Sequence, residues 1–462
     1  MAKIALINPP ISGKKPSLLI PSLGLAYLAS ALKQTCASQS SNGLEARIID
    51  APGQGMDLEA VVREISALEP ELAGISATTP LKDSAYSLAR RLRGLVKWTI
   101  LGGAHPSAAG LKIFEQCPEI DFGFRGEAED IFPQLVKKLL EGGKNFELPG
   151  VIFPGHDAKP VLVSDPEHLP FPAWELMPMK NYRHPLFPGE PVATIISSRG
   201  CPYQCIFCDK SVCGSKFRPR SPESVLREIQ ELYSSNGVRA LIFYDDLFTL
   251  QPGRVIEICR KIIEAGLKIH WKCEGRVNII SREMLFWMKK AGCEVIAYGM
   301  ESAHQKSLDW LKKGVKVEQV KQAIRLTKAA GIKVLGYFIF GIPGETYEDE
   351  LESVEFAISQ KLDYVQFASL SPFPGTKLYE LAMSQGWYRE SAGPAPEEYG
   401  ETRPLLITDY WTEDRLRKIM REAYRRFYFR PGYILRTASR PSGLWDLVKS
   451  GFRLSRWLKK SG

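Results

Sequence analysis

Two runs of alternating strand and helix, separated by a stretch crowded with proline, predict an α/β protein built on two parallel sheets. Residues 1–148 contain the short apolar runs "KIALIN", "ARIID", "LAGISATT", "WTILGG" and "DFGFRG", each followed by a helix-length segment. Alternation of this kind gives a doubly wound parallel sheet with helices on both faces. Residues 149–192 hold ten prolines, a density that breaks helices and central strands and reads as a linker or an extended wrap. From Val192 a second series, "VATIISS", "ALIFYDD", "IHWKCEG", "EVIAYGM", "VLGYFIFG" and "YVQFASL", alternates with helices and predicts a partial parallel (β/α)6 barrel over 193–384.

The individual elements follow from local signals. In "LGLAYLASAL", Leu25, Leu28 and Leu32 share one helical face. "SPESVLREIQELY" opens with Ser221 as N-cap and Pro222 at the first helical position. "SREMLFWMKKAG" and "VEQVKQAIRLTKAAG" are helices between later strands, and a basic helix is expected near 412–428 within a mainly helical segment, 385–462. In such architectures ligands sit beyond the carboxyl ends of the strands. In the first domain those ends are Asn8–Pro10, Ser76–Thr79, Gly102–Ser107 and Gly126–Glu127, rich in small residues that let a backbone approach a large ligand.

Bulk properties narrow the class. The 462 residues exceed one ordinary core, and no run reaches the length of a membrane span. The start, "MAKIALINPP", lacks a secretory apolar core, so a cytoplasmic protein is expected. Nine cysteines then argue for thiols and metal ligands rather than disulfides. The net charge of +9 is concentrated after Trp411, where fourteen Lys and Arg face four Asp and Glu. This reads as a solvated basic surface, and no nucleic-acid partner is expected. In "GLWDLVKSGFRLSRWLKK" the leucines recur at helical spacing among Trp, Phe and five cations. Two readings stand: a helix packed on the barrel, or a peripheral membrane contact serving a lipid-like substrate.

The chemistry lies in "SSRGCPYQCIFCDK". Cys201, Cys205 and Cys208 stand in a CxxxCxxC spacing directly after the first barrel strand. Thiolates favour zinc or iron–sulfur clusters. Cys213 is the candidate fourth ligand for a structural zinc or a closed cluster. Three ligands on one short loop also suit a cluster that leaves one iron open.

This motif, with Phe207 before its third cysteine and the barrel motifs in order behind it, resembles the radical SAM superfamily. The resemblance implies a 4Fe–4S cluster on Cys201, Cys205 and Cys208, with S-adenosylmethionine on the open iron. It places the backbone of Phe207 and the "GIPGET" turn at Gly341 beside the adenine. It implies polar contacts to S-adenosylmethionine from Asp245 and Asp246, where the chain reads "DD" rather than GGE, and from Arg276 and Glu301. An external electron donor such as flavodoxin or ferredoxin is implied as a partner.

The first 130 residues, through "PSLGLAYLASAL", "PELAGISATT", "LGGAHPSA" and "DFGFRGEAE", resemble the Rossmann-like cobalamin-binding domains fused ahead of such barrels in class B radical SAM methyltransferases. Ser76, Thr78, Gly102, Gly103, His105, Gly126 and Glu127 are the implied cobalamin contacts. The DxHxxG loop of cobalamin mutases is replaced by "DAPGQG", so a histidine on cobalt from that loop is not expected. Together the two halves imply C-methylation of an unactivated carbon in a small molecule, through a 5′-deoxyadenosyl radical and methylcobalamin. The alternatives are a cobalamin-assisted oxidative cyclisation or rearrangement, and a non-catalytic iron–sulfur protein closed by Cys213. The catalytic residues and the substrate are not readable.

Overall fold

The computed structural model describes residues 2–11, 18–38, 43–143, 146–389 and 405–438. The first sheet contains β1 (Ala2–Asn8), β2 (Leu44–Asp50), β3 (Leu72–Ser76), β4 (Trp98–Gly102), β5 (Phe122–Phe124) and β6 (Val151–Ile152), in the order β2-β1-β3-β4-β5-β6. All pairings are parallel except β5 with β6. The strand order reverses between β1 and β3, and the crevice of a doubly wound sheet opens at such a reversal. β1 is buried on both faces, with Ile4 and Leu6 in one core and Ala5 and Ile7 in the other.

The second sheet begins at β7 (Val192–Ile195). A two-residue ladder, β8 (Ser198–Arg199) with β9 (Arg218–Pro219), follows it. The sheet continues through β10 (Ala240–Phe243), β11 (His270–Gly275), β12 (Cys293–Glu301), β13 (Lys333–Phe340) and β14 (Tyr364–Ser369). β7 and β10–β14 lie in sequence order, all parallel, with β7 and β14 as its two edges. This is the expected partial six-stranded barrel. Outward-facing Phe243, Trp271, Tyr298, Phe338 and Phe367 belong to the same core as Tyr27 and Trp174, so packing is continuous from barrel to N-terminal domain.

The proline-rich stretch wraps rather than merely links. It supplies β6, bridges Gly126 through Val161, and pairs Arg183 with Leu19. Trp174 and Tyr182 are buried within it. The expected basic helix is Glu413–Tyr428, capped by Thr412. It covers the edge of β14: the Tyr424 hydroxyl donates to the Phe367 carbonyl and accepts from its N–H, both at 3.2 Å. The Tyr428 hydroxyl does the same for Val365, at 2.8 and 3.0 Å. Edge groups that invite another strand are thus satisfied internally. No described helix is long and apolar enough to cross a membrane. The basic stretch "GLWDLVKSGFRLSRWLKK" lies outside the described residues.

Candidate cluster and cofactor sites

The β8–β9 ladder forms a neck, and residues 200–217 are the loop it closes. Gly200 has φ +84°, and a Cβ there would lie 2.2 Å from the Lys216 carbonyl oxygen, so only glycine fits. Inside the loop the N–H of Cys201 donates to Gly214 O, that of Gly214 to Lys210 O, and that of Cys208 to Cys205 O. The Ile206 N–H donates to Leu311 O, and Ile206 O accepts from Leu378. These bonds moor the loop over the carboxyl ends of the strands.

The three cysteine sulfurs share one space. Cys208 is exposed at the mouth, yet desolvation by the surrounding loop raises its thiol, and negative charge on Cys205, Cys201 and Asp246 adds to it. Burial also raises Cys201, with Asp246 and Cys205 adding and Lys210 opposing. Cys213 lies farther along the same loop. Its carbonyl accepts from Arg218 at 2.7 Å. Burial pushes its thiol up to about 12, with Asp246, Glu127 and Glu129 adding and Arg199 opposing.

The expected S-adenosylmethionine residues divide into two groups. Asp246 is exposed at the end of β10, beside the cysteines, with one oxygen holding the Gly200 N–H at 2.9 Å. Glu301 ends β12 at φ +61°, next to a register shift, and pairs with Lys313 at 2.5 Å. A non-glycine residue held at positive φ stores strain of the kind found at functional sites. Gly299 makes room for this pair, because a Cβ there would lie 2.3 Å from Glu301 Oε1. Phe207 packs on the cluster of Ile206, Leu311 and Ile339, with Lys313 Nζ 5.8 Å from its ring. The Gly341 N–H donates to buried Glu350 at 2.7 Å.

Two expected contacts need correction. Asp245 is buried and accepts from the Ser197 N–H at 2.7 Å and from the Ser197 and Ser198 hydroxyls, so it braces the strand end and does not face a ligand. The Arg276 guanidinium stacks 3.5 Å from the Tyr203 ring and donates to Asn278 and to the Lys313 and Gly314 carbonyls. It supports the cysteine loop from below and is not positioned for a bidentate grip on a ligand carboxylate.

Below this level the barrel interior is polar. Lys272 pairs with Glu274 at 2.8 Å, and the Tyr337 hydroxyl donates to the same Glu274 oxygen at 3.1 Å. A cavity of about 320 Å³ beside them is lined by Tyr337, Phe338, Ile339, Gln366 and Ala368. Sequence reasoning missed these residues; the signal was two charged positions, Lys272 and Glu274, alternating on an otherwise buried strand.

In the N-terminal domain, Thr78 is exposed at the end of β3 with Ser76 half-buried below it. A Cβ on Gly102 would meet no atom within 4 Å, so the surface forms an open ledge there. Gly103 turns the chain into the helix Ala104–Ala109, packing on the Ala77 backbone. His105 departs from expectation: it is 3 % exposed, one ring nitrogen lies 2.7 Å from the Tyr86 hydroxyl and the other 3.3 Å from that of Thr79. Burial pushes it down to about 4, with Lys82 adding. It is a core histidine with neither nitrogen free for cobalt. The Asp50–Gly55 loop forms a single helical turn (Ala51–Gln54) without histidine, and Asp50 is tied to Asn8 and Tyr182.

Gly126 and Glu127 also play a different part. The Gly126 N–H donates to the Ser107 hydroxyl at 3.0 Å. Glu127 reaches across to the cysteine loop: Arg218 grips both of its oxygens, at 2.6 and 2.9 Å, and Arg199 lies 3.3 Å away. Arg199 also donates to Glu129 at 2.7 Å. Neither arginine was singled out in the sequence, although each flanks the cysteine loop. Asp209 of that loop lies near Gly375 and Ala108, since a Cβ on Gly375 would be 3.6 Å from the Asp209 carboxylate and 3.4 Å from Ala108. The working edges of the two domains therefore face each other.

Three thiols on a moored loop at the mouth of a partial barrel, facing the open edge of a doubly wound sheet, define an iron–sulfur enzyme with a second cofactor domain. The comparisons agree. Residues 195–357 match the radical SAM superfamily and residues 13–136 the B12 binding domain. An uncharacterized methyltransferase of Pyrococcus horikoshii is 31% identical over 448 residues, spanning 94% of both chains. The anaerobic magnesium-protoporphyrin IX monomethyl ester cyclase of Cereibacter sphaeroides is 29% identical, over 89% of this chain and 67% of that one. The structure of TsrM from Kitasatospora setae, a radical S-adenosylmethionine methyltransferase with cobalamin and a [4Fe-4S] cluster bound, superposes with TM-score 0.70 at 19% identity. The match covers 88% of this chain and 83% of that one. The chain belongs to the radical SAM enzymes that carry a B12-binding domain. Its cofactors are a 4Fe–4S cluster, S-adenosylmethionine and cobalamin.

Proposed function

We propose that this protein methylates an unactivated carbon of a small molecule. When bound, the cofactors supply reductive cleavage of S-adenosylmethionine to a 5′-deoxyadenosyl radical and a methyl group carried on cobalamin. The observation that carries the reading is the approach of the two working edges at Ala108, Gly375 and Asp209. Cys201, Cys205 and Cys208 hold the cluster. Asp246, Glu301, Gly341 and the Phe207 backbone hold S-adenosylmethionine. Ser76, Thr78, Gly102 and Gly103 form the ledge for the corrinoid. The Lys272–Glu274–Tyr337 cluster and its cavity face the substrate, and the mooring of residues 200–217 keeps water from the space between.

The working units are 1–148, the wrap 149–192, the barrel 193–384 and the segment 385–462. The protein acts in the cytoplasm and takes electrons from a flavodoxin or ferredoxin. Its basic tail, read from sequence alone, meets the membrane surface if the substrate is lipid-like. Similarity to the cyclase favours a second reading, oxidative cyclisation. Anaerobic incubation with labelled S-adenosylmethionine and native cell extract separates the two. Methylation yields 5′-deoxyadenosine, S-adenosylhomocysteine and a labelled product. Turnover with deoxyadenosine alone supports cyclisation.

A further inference from the structure

The neck of the cysteine loop is not self-sufficient. β8 and β9 pair through two residues only, and the pair nearer the loop sets Arg199 opposite Arg218. Like charges directly opposite each other destabilise a ladder, and a hairpin this short does not persist alone. Closure comes from the other domain. Glu127 lies between the arginines and pairs with both, while Glu129 takes the far side of Arg199. The side chains of Arg199, Arg218 and Glu127 are 5 %, 4 % and 2 % exposed. Two acids and two bases balance in a dry site, where removing one partner strands a charge.

Glu127 is itself held from the cofactor ledge of the N-terminal domain. The helix that starts after Gly103 carries Ser107, whose carbonyl accepts from Arg125 at 3.2 Å and whose hydroxyl accepts from the Gly126 N–H. The next residue is Glu127, with one oxygen also accepting from the Val163 N–H at 2.6 Å. Arg218 then donates to the Cys213 carbonyl, and Arg199 leads through Gly200 to Cys201. A continuous set of directional contacts therefore runs from the ledge at Gly102 and Gly103 to the cysteines.

We propose that Glu127 is a positioning residue that couples the two cofactor sites: ordering of the Gly103–Ser107 and Arg125–Glu129 segments by a bound corrinoid tightens the neck of the cysteine loop, so that corrinoid occupancy and cluster retention reinforce each other. The proposal rests on the assignment of the two sites above. Coupling between sites is reciprocal in binding free energy and typically amounts to about 5–150-fold.

The test uses full-length protein reconstituted anaerobically with iron and sulfide, with and without hydroxocobalamin. An iron chelator is added and loss of the cluster's visible absorbance is followed. Corrinoid should slow cluster loss by at least about fivefold, and cluster loading should tighten hydroxocobalamin binding by a factor within the roughly 5–150-fold range of such couplings. In Glu127→Gln, at unchanged far-ultraviolet circular dichroism, the cluster should be lost at the same rate with and without hydroxocobalamin, and hydroxocobalamin should bind equally with and without the cluster. Arg218→Lys, which keeps the charge but loses the two-pronged grip, should reduce the coupling and serves if Glu127→Gln does not fold. Wild type with both cofactors bound but no mutual effect overturns the coupling alone, as does full coupling in both variants. Failure of wild type to bind corrinoid or cluster overturns the site assignment as well.

Discussion

Replacing Tyr424 and Tyr428 with phenylalanine tests whether the C-terminal helix closes the barrel edge through its hydroxyls. Each hydroxyl satisfies one N–H and one carbonyl of β14, at Phe367 and Val365. Phenylalanine keeps the ring packing, including the edge-on contact of Tyr424 with Phe367, so no cavity opens and the loss is polar. Phe367 is 1 % exposed, so water does not readily replace the hydroxyl. Orphaning a buried N–H costs about 1–3 kcal/mol. The double variant should lose somewhat less than the sum, since the sites are one helical turn apart and share a strand. Hydrogen exchange reads this locally: the amides of residues 365 and 367 should exchange roughly tenfold faster or more in the double variant. Amides of β10 and β11, far from this edge, should be unchanged. Gln366 and Ala368 on the same strand line the interior cavity, so the loosened edge should also raise the KM for substrate. Unchanged protection at 365 and 367 in the double variant would refute the argument, because the edge groups would then have other partners.

Cys201→Ala, Cys205→Ala and Cys208→Ala should each abolish the brown cluster after reconstitution, whereas Cys213→Ala should retain it; equal loss in Cys213→Ala would support a closed cluster. Gly200→Ala should cost about 1–3 kcal/mol for the left-handed backbone, plus displacement of Lys216, and should lower cluster occupancy by iron analysis without changing corrinoid binding at saturating hydroxocobalamin. Gly299→Ala should push Glu301 off Lys313 and weaken S-adenosylmethionine binding at least about tenfold by calorimetry; unchanged affinity would remove Glu301 from that site. His105 binds its proton less readily when folded, at about 4 against 6.5. The unfolded chain therefore takes up the proton first as pH falls from about 6.5 to 4, and stability drops by on the order of 3 kcal/mol across that window. In His105→Gln this part of the pH dependence should disappear from urea unfolding curves.

What the sequence determined by itself was everything set by periodicity, punctuation or dense local chemistry. The β-period of "VATIISS" and "YVQFASL", the proline break at 149–192, the Ser221–Pro222 helix start and the CxxxCxxC loop are each contained within a few residues. The two-domain order follows from them, and the cofactor set from the family resemblance that the cysteine loop and the strand-end motifs carry. The tertiary structure decided matters that depend on what lies opposite a residue. Asp245 and Asp246 are adjacent in sequence, yet the turn that follows β10 buries one under two serines and leaves the other beside the cysteines. His105 occupies a ligand-loop position in sequence but is closed off by Tyr86, nineteen residues earlier on another helix. Glu127 looked like a ledge residue and proved to be a cross-domain anchor for Arg218, ninety-one residues away. Charge and hydrogen-bond partners at such separations leave no periodic trace in one chain, because they are set only when separately folded elements pack and buried charges must find a counterpart.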